Sequence, residues 1–203
     1  MFDDQLRQVK EAVFGPIAVW PVVRRLDPIV FTAVSLLFGL LAAVVLWQQM
    51  IWVGFLCWLL NRFFDGLDGT LARHLGAQSD LGGYVDILAD FTTYALVPVG
   101  IVAGRPTEAG WLLLALLLSS FYVNAASWMY LAAILEKRQR QPGGKKTTIV
   151  MPEGLIGGGE TIVFFSAFIL FPSFYPVLFG VMALLVAVTV GQRLLWAFRR
   201  LPS

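Results

Sequence analysis

Residues 61–90 read NRFFDGLDGTLARHLGAQSDLGGYVDILAD. Four aspartates, Asp65, Asp68, Asp86 and Asp90, fall here inside two segments that are otherwise largely apolar or small. On a helix turning 100° per residue, Asp65 and Asp68 share one face by their i, i+3 spacing, and Asp86 and Asp90 share another by i, i+4. A short connection between the two segments predicts antiparallel neighbouring helices, so the four carboxylates are expected to converge.

The rest of the chain says what medium those helices occupy. Of 203 residues, 58% are hydrophobic and only 14% charged, against roughly 25% charged in soluble domains. Six apolar stretches, 28–47, 51–72, 81–104, 110–135, 160–171 and 175–198, each approach the ~20 residues that a helix needs to cross the hydrocarbon core. The fifth is the shortest. Before them, residues 4–25 alternate charge with Leu6, Val9, Val13, Phe14 and Val19, a pattern that suits an amphipathic helix lying in the interface. Pro16 and Pro21 bend it. The expected fold is an all-α integral membrane protein of six transmembrane helices with an N-terminal interfacial amphipathic helix. Residues 1–203 form one domain, with 1–27 juxtamembrane and 28–203 the membrane core.

Every Lys and Arg except Arg105 falls on one side of this layout. That side is cytoplasmic by the positive-inside rule and carries both termini and the aspartates. A prokaryotic cytoplasmic (inner) membrane is the expected location. A net charge of +2 gives no reason to expect nucleic acid, and the single cysteine, Cys57, excludes an intrachain disulfide and reads as packing.

Carboxylates at membrane depth are costly and need partners. Four together repel one another more strongly as the local dielectric falls, and Arg62, Arg73 and His74 neutralise only part of that charge. All-oxygen ligation favours hard ions, so two Mg²⁺ or Mn²⁺ ions are expected, a device suited to phosphoryl chemistry. Gly66, Gly69, Gly82 and Gly83 leave the helix surfaces bare beside the acids, for helix packing or for a ligand pressed against the backbone.

Asp65, Asp68, Gly69, Ala72, Arg73, Gly82, Asp86 and Asp90 reproduce at every interval the D-x-x-D-G-x-x-A-R-x(8)-G-x(3)-D-x(3)-D signature. On those residues the chain resembles the CDP-alcohol phosphotransferases. The resemblance implies transfer of a phosphatidyl group from a CDP-linked lipid, usually CDP-diacylglycerol, to a small alcohol such as glycerol phosphate or inositol phosphate, with release of CMP. It further implies that Asp65, Asp68, Asp86 and Asp90 surround the metals and that Asp90 is the general base. Asp68, Gly69, Ala72, Arg73 and Gly82 would line the nucleotide site. The implied partners are the lipid donor, the alcohol acceptor and the bilayer, with a homodimer as an open expectation.

The second half carries weaker signals. Arg193, Lys145, Lys146, Glu160 and Asn124, with Ser127 beside the last, are candidates for binding the acceptor. The basic residues among them serve equally well as positive-inside anchors, and the polar ones as links between helices. Two other readings compete. A membrane prenyltransferase holds Mg²⁺-pyrophosphate but would need a second aspartate motif after Asp90, and none is present. A cation transporter accounts for intramembrane acids but not for the A-R-x(8)-G spacing.

Overall fold

The structure is a computed structural model and describes residues 13–139 and 154–201, all helix and connection with no strand among them. Six long elements follow a 3-10 turn at Val23–Arg25: α1 (Pro28–Trp47), α2 (Ile51–Leu75), α3 (Asp80–Gly104), α4 (Glu108–Gln139), α5 (Gly158–Leu170) and α6 (Tyr175–Arg200). Four of them, α1, α3, α4 and α6, are long and apolar enough to cross a membrane. The other two depart from the six-span expectation for separate reasons. α2 has the length, at 25 residues, but its second half carries Arg62, Asp65, Asp68 and Arg73. α5 has the apolar character but only 13 residues, short of the ~20 needed for a straight crossing. Of the expected interfacial helix, residues 1–12 lie outside the described part, and 13–18 are helical.

Local chemistry sets the helix limits around the aspartates. α1 starts at Asp27, whose carboxylate accepts from the Ile29 N–H at 3.0 Å, with Pro28 at the first helical position. α2 ends at Gly76, which adopts the left-handed conformation (φ 60°). Its N–H and that of Ala77 close back on the carbonyls of Arg73 and Ala72, so the chain turns sharply after the first half of the motif. α3 starts at Ser79, whose hydroxyl caps the Gly82 N–H at 3.0 Å.

α1 is the spine of the first half, packed along both α2 and α3. Small residues let it approach so closely. A Cβ at Gly39 would collide with the Thr93 side chain, and one at Gly100 with the backbone carbonyl of Ala43. Where the backbones meet, Asn61 Nδ2 donates to Ser35 O at 2.8 Å, and the Ser35 hydroxyl donates to Asn61 O at 3.0 Å. In the second half α4 packs on α6. An aromatic series, Trp58, Phe165, Phe168 and Phe179, runs from α2 through α5 to α6 with successive centroids 5.1, 5.3 and 4.7 Å apart. Phe14 and Ala18 are buried against Leu67 and Leu71 on α2, so the N-terminal segment is seated on the motif helix.

Gly100→Ala is expected to lower the unfolding temperature in detergent, because the new methyl meets backbone that cannot rotate away. Over-packing of this kind costs about 1–3 kcal/mol. Gly191→Ala, where nothing lies within 4 Å, is the control. Alanine's better helix propensity of about 0.5–1 kcal/mol should leave it neutral or slightly stabilised. Equal melting of the two variants would show that Gly100 is not a packing requirement.

Candidate active site

The second half of α2 and the first half of α3 carry the four aspartates. These two helices make few close approaches to each other; each lies against α1, which corrects the expectation of directly packed neighbours. Side chains of α1, α2 and α3 meet in the space between them. Asp68 is buried on α2, and the Thr32 hydroxyl of α1 donates to its Oδ2 at 2.6 Å, which fixes the carboxylate. Asp68 lies within electrostatic reach of both Asp65 and Asp86.

Arg62 enters the same space. Its Nη2 donates to Asp90 Oδ1 at 2.8 Å, Nη1 donates to the Tyr94 hydroxyl at 2.9 Å and Nε donates to Asn61 Oδ1 at 2.7 Å. It also stands 3.6 Å from Asp65. Tyr94 is one helical turn after Asp90 on α3, so α3 presents the acid and the phenol together.

No group of three or more His, Cys, Asp or Glu side chains among the described residues is gathered closely enough to hold one metal ion. The donor chemistry nevertheless fits a hard divalent ion: Asp65, Asp68 and Asp86 offer carboxylate oxygens only, and one of them is already oriented by Thr32.

The glycines of the motif divide. A Cβ at Gly66 would strike the Phe14 ring at 2.5 Å, so Gly66 serves packing. Gly83 has nothing within 4 Å and Gly69 faces only the Arg73 guanidinium, at 3.4 Å. Gly82 lies against its own capping serine, at 3.0 Å. Arg73 folds back so that Nη2 donates to Thr70 Oγ1 at 3.1 Å, one turn earlier on α2 and alongside Ala72.

From Asp90 a cavity of about 940 Å³ extends between α3, α4, α6 and the start of α5. Asp90 and Tyr94 stand at one part of its wall, Asn124 and Arg193 at another, and Phe121, Trp128 and Met129 supply apolar surface. Arg193 Nη1 donates to Asn124 Oδ1 at 2.5 Å, while its buried Nε has no partner. Two of the acceptor candidates thus meet in one cavity with Asp90. Glu160 does not join them: its carboxylate accepts from the Gly157 N–H at 3.0 Å and closes the start of α5. Ser127 is not among the lining residues. Lys145 and Lys146 lie outside the described residues.

Thr32 was invisible to sequence reasoning, since a lone threonine in an apolar span has many uses and its partner is 36 positions away. Tyr94 carried a usable signal, the i, i+4 spacing from Asp90.

A family model described as CDP-alcohol phosphatidyltransferase matches residues 26–191, a range that takes in α1 to α5, most of α6 and every aspartate of the cluster. Over 150 residues the chain is 36% identical to "Inner membrane protein YnjF" of Escherichia coli (strain K12), a match that covers 71% of this chain and 70% of that protein.

Proposed function

The chain belongs to the CDP-alcohol phosphatidyltransferase family, and from that membership we propose that it moves a phosphatidyl group from CDP-diacylglycerol to a small alcohol, releasing CMP. The observation that carries this reading is the placing of Asp90. It borders a cavity large enough for an acceptor, and its partner Arg62 also stands 3.6 Å from Asp65.

Members of the family generally use divalent metal ions. Here Asp65, Asp68 and Asp86 would hold Mg²⁺ or Mn²⁺, with Asp90 beside them, and the ions would neutralise charge developing on the pyrophosphate. The protein's own residues do the remaining work. Arg73 swings from Thr70 to a donor phosphate oxygen, where a guanidinium fork binds well, and the bare surfaces at Gly69, Ala72 and Gly82 admit the nucleotide against α2 and α3. Asp90 takes the proton of the acceptor hydroxyl as that oxygen attacks phosphorus and the bond to CMP breaks. Arg193, steered by Asn124, meets an anionic group on the acceptor such as the phosphate of glycerol phosphate or inositol phosphate. The apolar walls exclude water, which would otherwise compete as the attacking group.

The protein is an integral membrane protein in this reading. α2 and α5 complete a six-helix core over residues 28–203, α5 being short because it starts at the glycines 157–159 on the cavity rim. The aspartates face the cytoplasm with most of the Lys and Arg. The prenyltransferase and cation-transporter readings lose their footing with the family membership.

The test is CMP release from CDP-diacylglycerol by protein in detergent with Mn²⁺, across a panel of alcohols with and without a phosphate. Release that rises with a phosphorylated alcohol is the expected result. No release above the rate with water, for any alcohol, would remove the reading.

A further inference from the structure

Residues 154–157 lead along the cavity into α5 as a strap that is secured at both ends. At the α5 end the Gly157 N–H donates to Glu160 Oε2 at 3.0 Å, and the Gly157 carbonyl accepts from the Thr161 hydroxyl at 2.8 Å and the Thr161 N–H at 3.2 Å. At the other end the Ile156 N–H donates to Thr189 Oγ1 of α6 at 3.1 Å. Among the described residues this is the strap's one hydrogen bond to a helix other than α5. Thr189 is fully buried, and its hydroxyl gives its own proton to Leu185 O at 3.1 Å, so a lone pair is turned to Ile156. A Cβ at Gly154 would collide with the Thr189 methyl, which means that the strap lies directly on α6 at this point.

Ile156, Gly157 and Gly158 line the same cavity as Asp90, Asn124 and Arg193. Thr189 does not line it, but it precedes Arg193 by one turn of α6, so its bond to Ile156 fixes how far the strap stands from that guanidinium. We propose that Thr189 is a positioning residue that holds the strap against α6 and thereby sets the size of the acceptor that reaches Asp90. The Ile156 side chain packs against the core and is the part of the strap that takes up cavity space. Without the hydroxyl the Ile156 N–H has no partner, and the strap turns outward about Gly157 to hydrate it. The cavity then widens on the side of Arg193 and admits bulkier acceptors. The proposal rests on the transferase reading for what the cavity takes, whereas the seating of the strap can be read without turnover.

Two measurements test it. The first compares kcat/KM for inositol phosphate and glycerol phosphate, or for the largest and smallest phosphorylated alcohols that the wild type uses. Thr189→Val removes the hydroxyl at nearly constant shape, and the ratio of large to small should rise at least about fivefold while the KM for CDP-diacylglycerol stays the same. Thr189→Ser keeps the bond and should hold the ratio within about twofold of wild type. The second introduces Ile156→Cys with Cys57→Ala, which removes the chain's own thiol, and follows maleimide labelling in detergent without substrates. Adding Thr189→Val should speed labelling at least about fivefold, because the strap opens more often. A merely structural threonine would lower the melting temperature and slow turnover with every acceptor alike. An unchanged ratio in Thr189→Val overturns the proposal, as does an unchanged labelling rate. Should Thr189→Val not fold, Gly154→Ala decides: its methyl presses the strap off Thr189 from the other side and should shift the ratio and the labelling in the same direction. If the wild type releases no CMP with any alcohol, the transferase reading fails, and the labelling rates still decide whether Thr189 holds the strap.

Discussion

Asp90→Asn is expected to slow CMP formation by about 10²–10⁴-fold, the usual contribution of a positioned general base, while CDP-diacylglycerol affinity stays close to that of wild type. The amide keeps the size of the carboxylate, and its oxygen can still accept the bond that Arg62 Nη2 makes to Asp90 Oδ1 at 2.8 Å. What it loses is the capacity to take a proton. Asp90 borders the cavity, whereas the acids grouped around Asp68 do not, so the loss falls on the acceptor's side of the reaction. The measurement is single-turnover CMP formation and donor affinity on the same preparation at saturating Mn²⁺. A single-turnover rate within about threefold of wild type would take Asp90 out of the base role.

The parts of this arrangement that are written in local spacing could be read from the sequence alone. The helices follow from apolar runs of nearly the right length. The sharing of faces by Asp65 with Asp68, and by Asp86 with Asp90, follows from helical periodicity. What could not be read depends on contacts between residues far apart in the chain. Asn124 and Arg193 were each visible as polar residues in apolar spans, but nothing in their sequence context shows that a bond joins them across 69 positions. The way α2 and α3 come together is hidden from the sequence for the same reason. A short loop predicts adjacency, yet the small residues of α1 and α3, above all Gly39 and Gly100, let α1 lie along both helices. The resulting gap is what admits Arg62. Gly66 belongs to the motif stretch but answers to Phe14, a contact that spacing cannot reveal.

Removing divalent metal is expected to abolish turnover and to lower the melting temperature, and Asp86→Asn should change both effects in a predictable direction. Asp65, Asp68, Asp86 and Asp90 bring four negative charges to α2 and α3; even with Arg62 and Arg73 both set against them, two remain. Mutual repulsion therefore destabilises the metal-free fold, and an ion bound only by the folded form stabilises it by mass action. At one hundred times the dissociation constant that is about 2.7 kcal/mol. For a chain of this size the shift corresponds to roughly 5–10 °C in melting temperature. Asp86→Asn removes one charge, so in EDTA the variant should melt at or above the wild type, and in Mn²⁺ below it. The sign of the difference thus reverses between the two buffers, which a simple loss of packing cannot produce. Melting curves of both proteins in EDTA and in Mn²⁺, alongside CMP release, make the comparison. Turnover that survives EDTA, or a Mn²⁺-induced shift as large in Asp86→Asn as in wild type, would show that the acids between α2 and α3 do not hold metal.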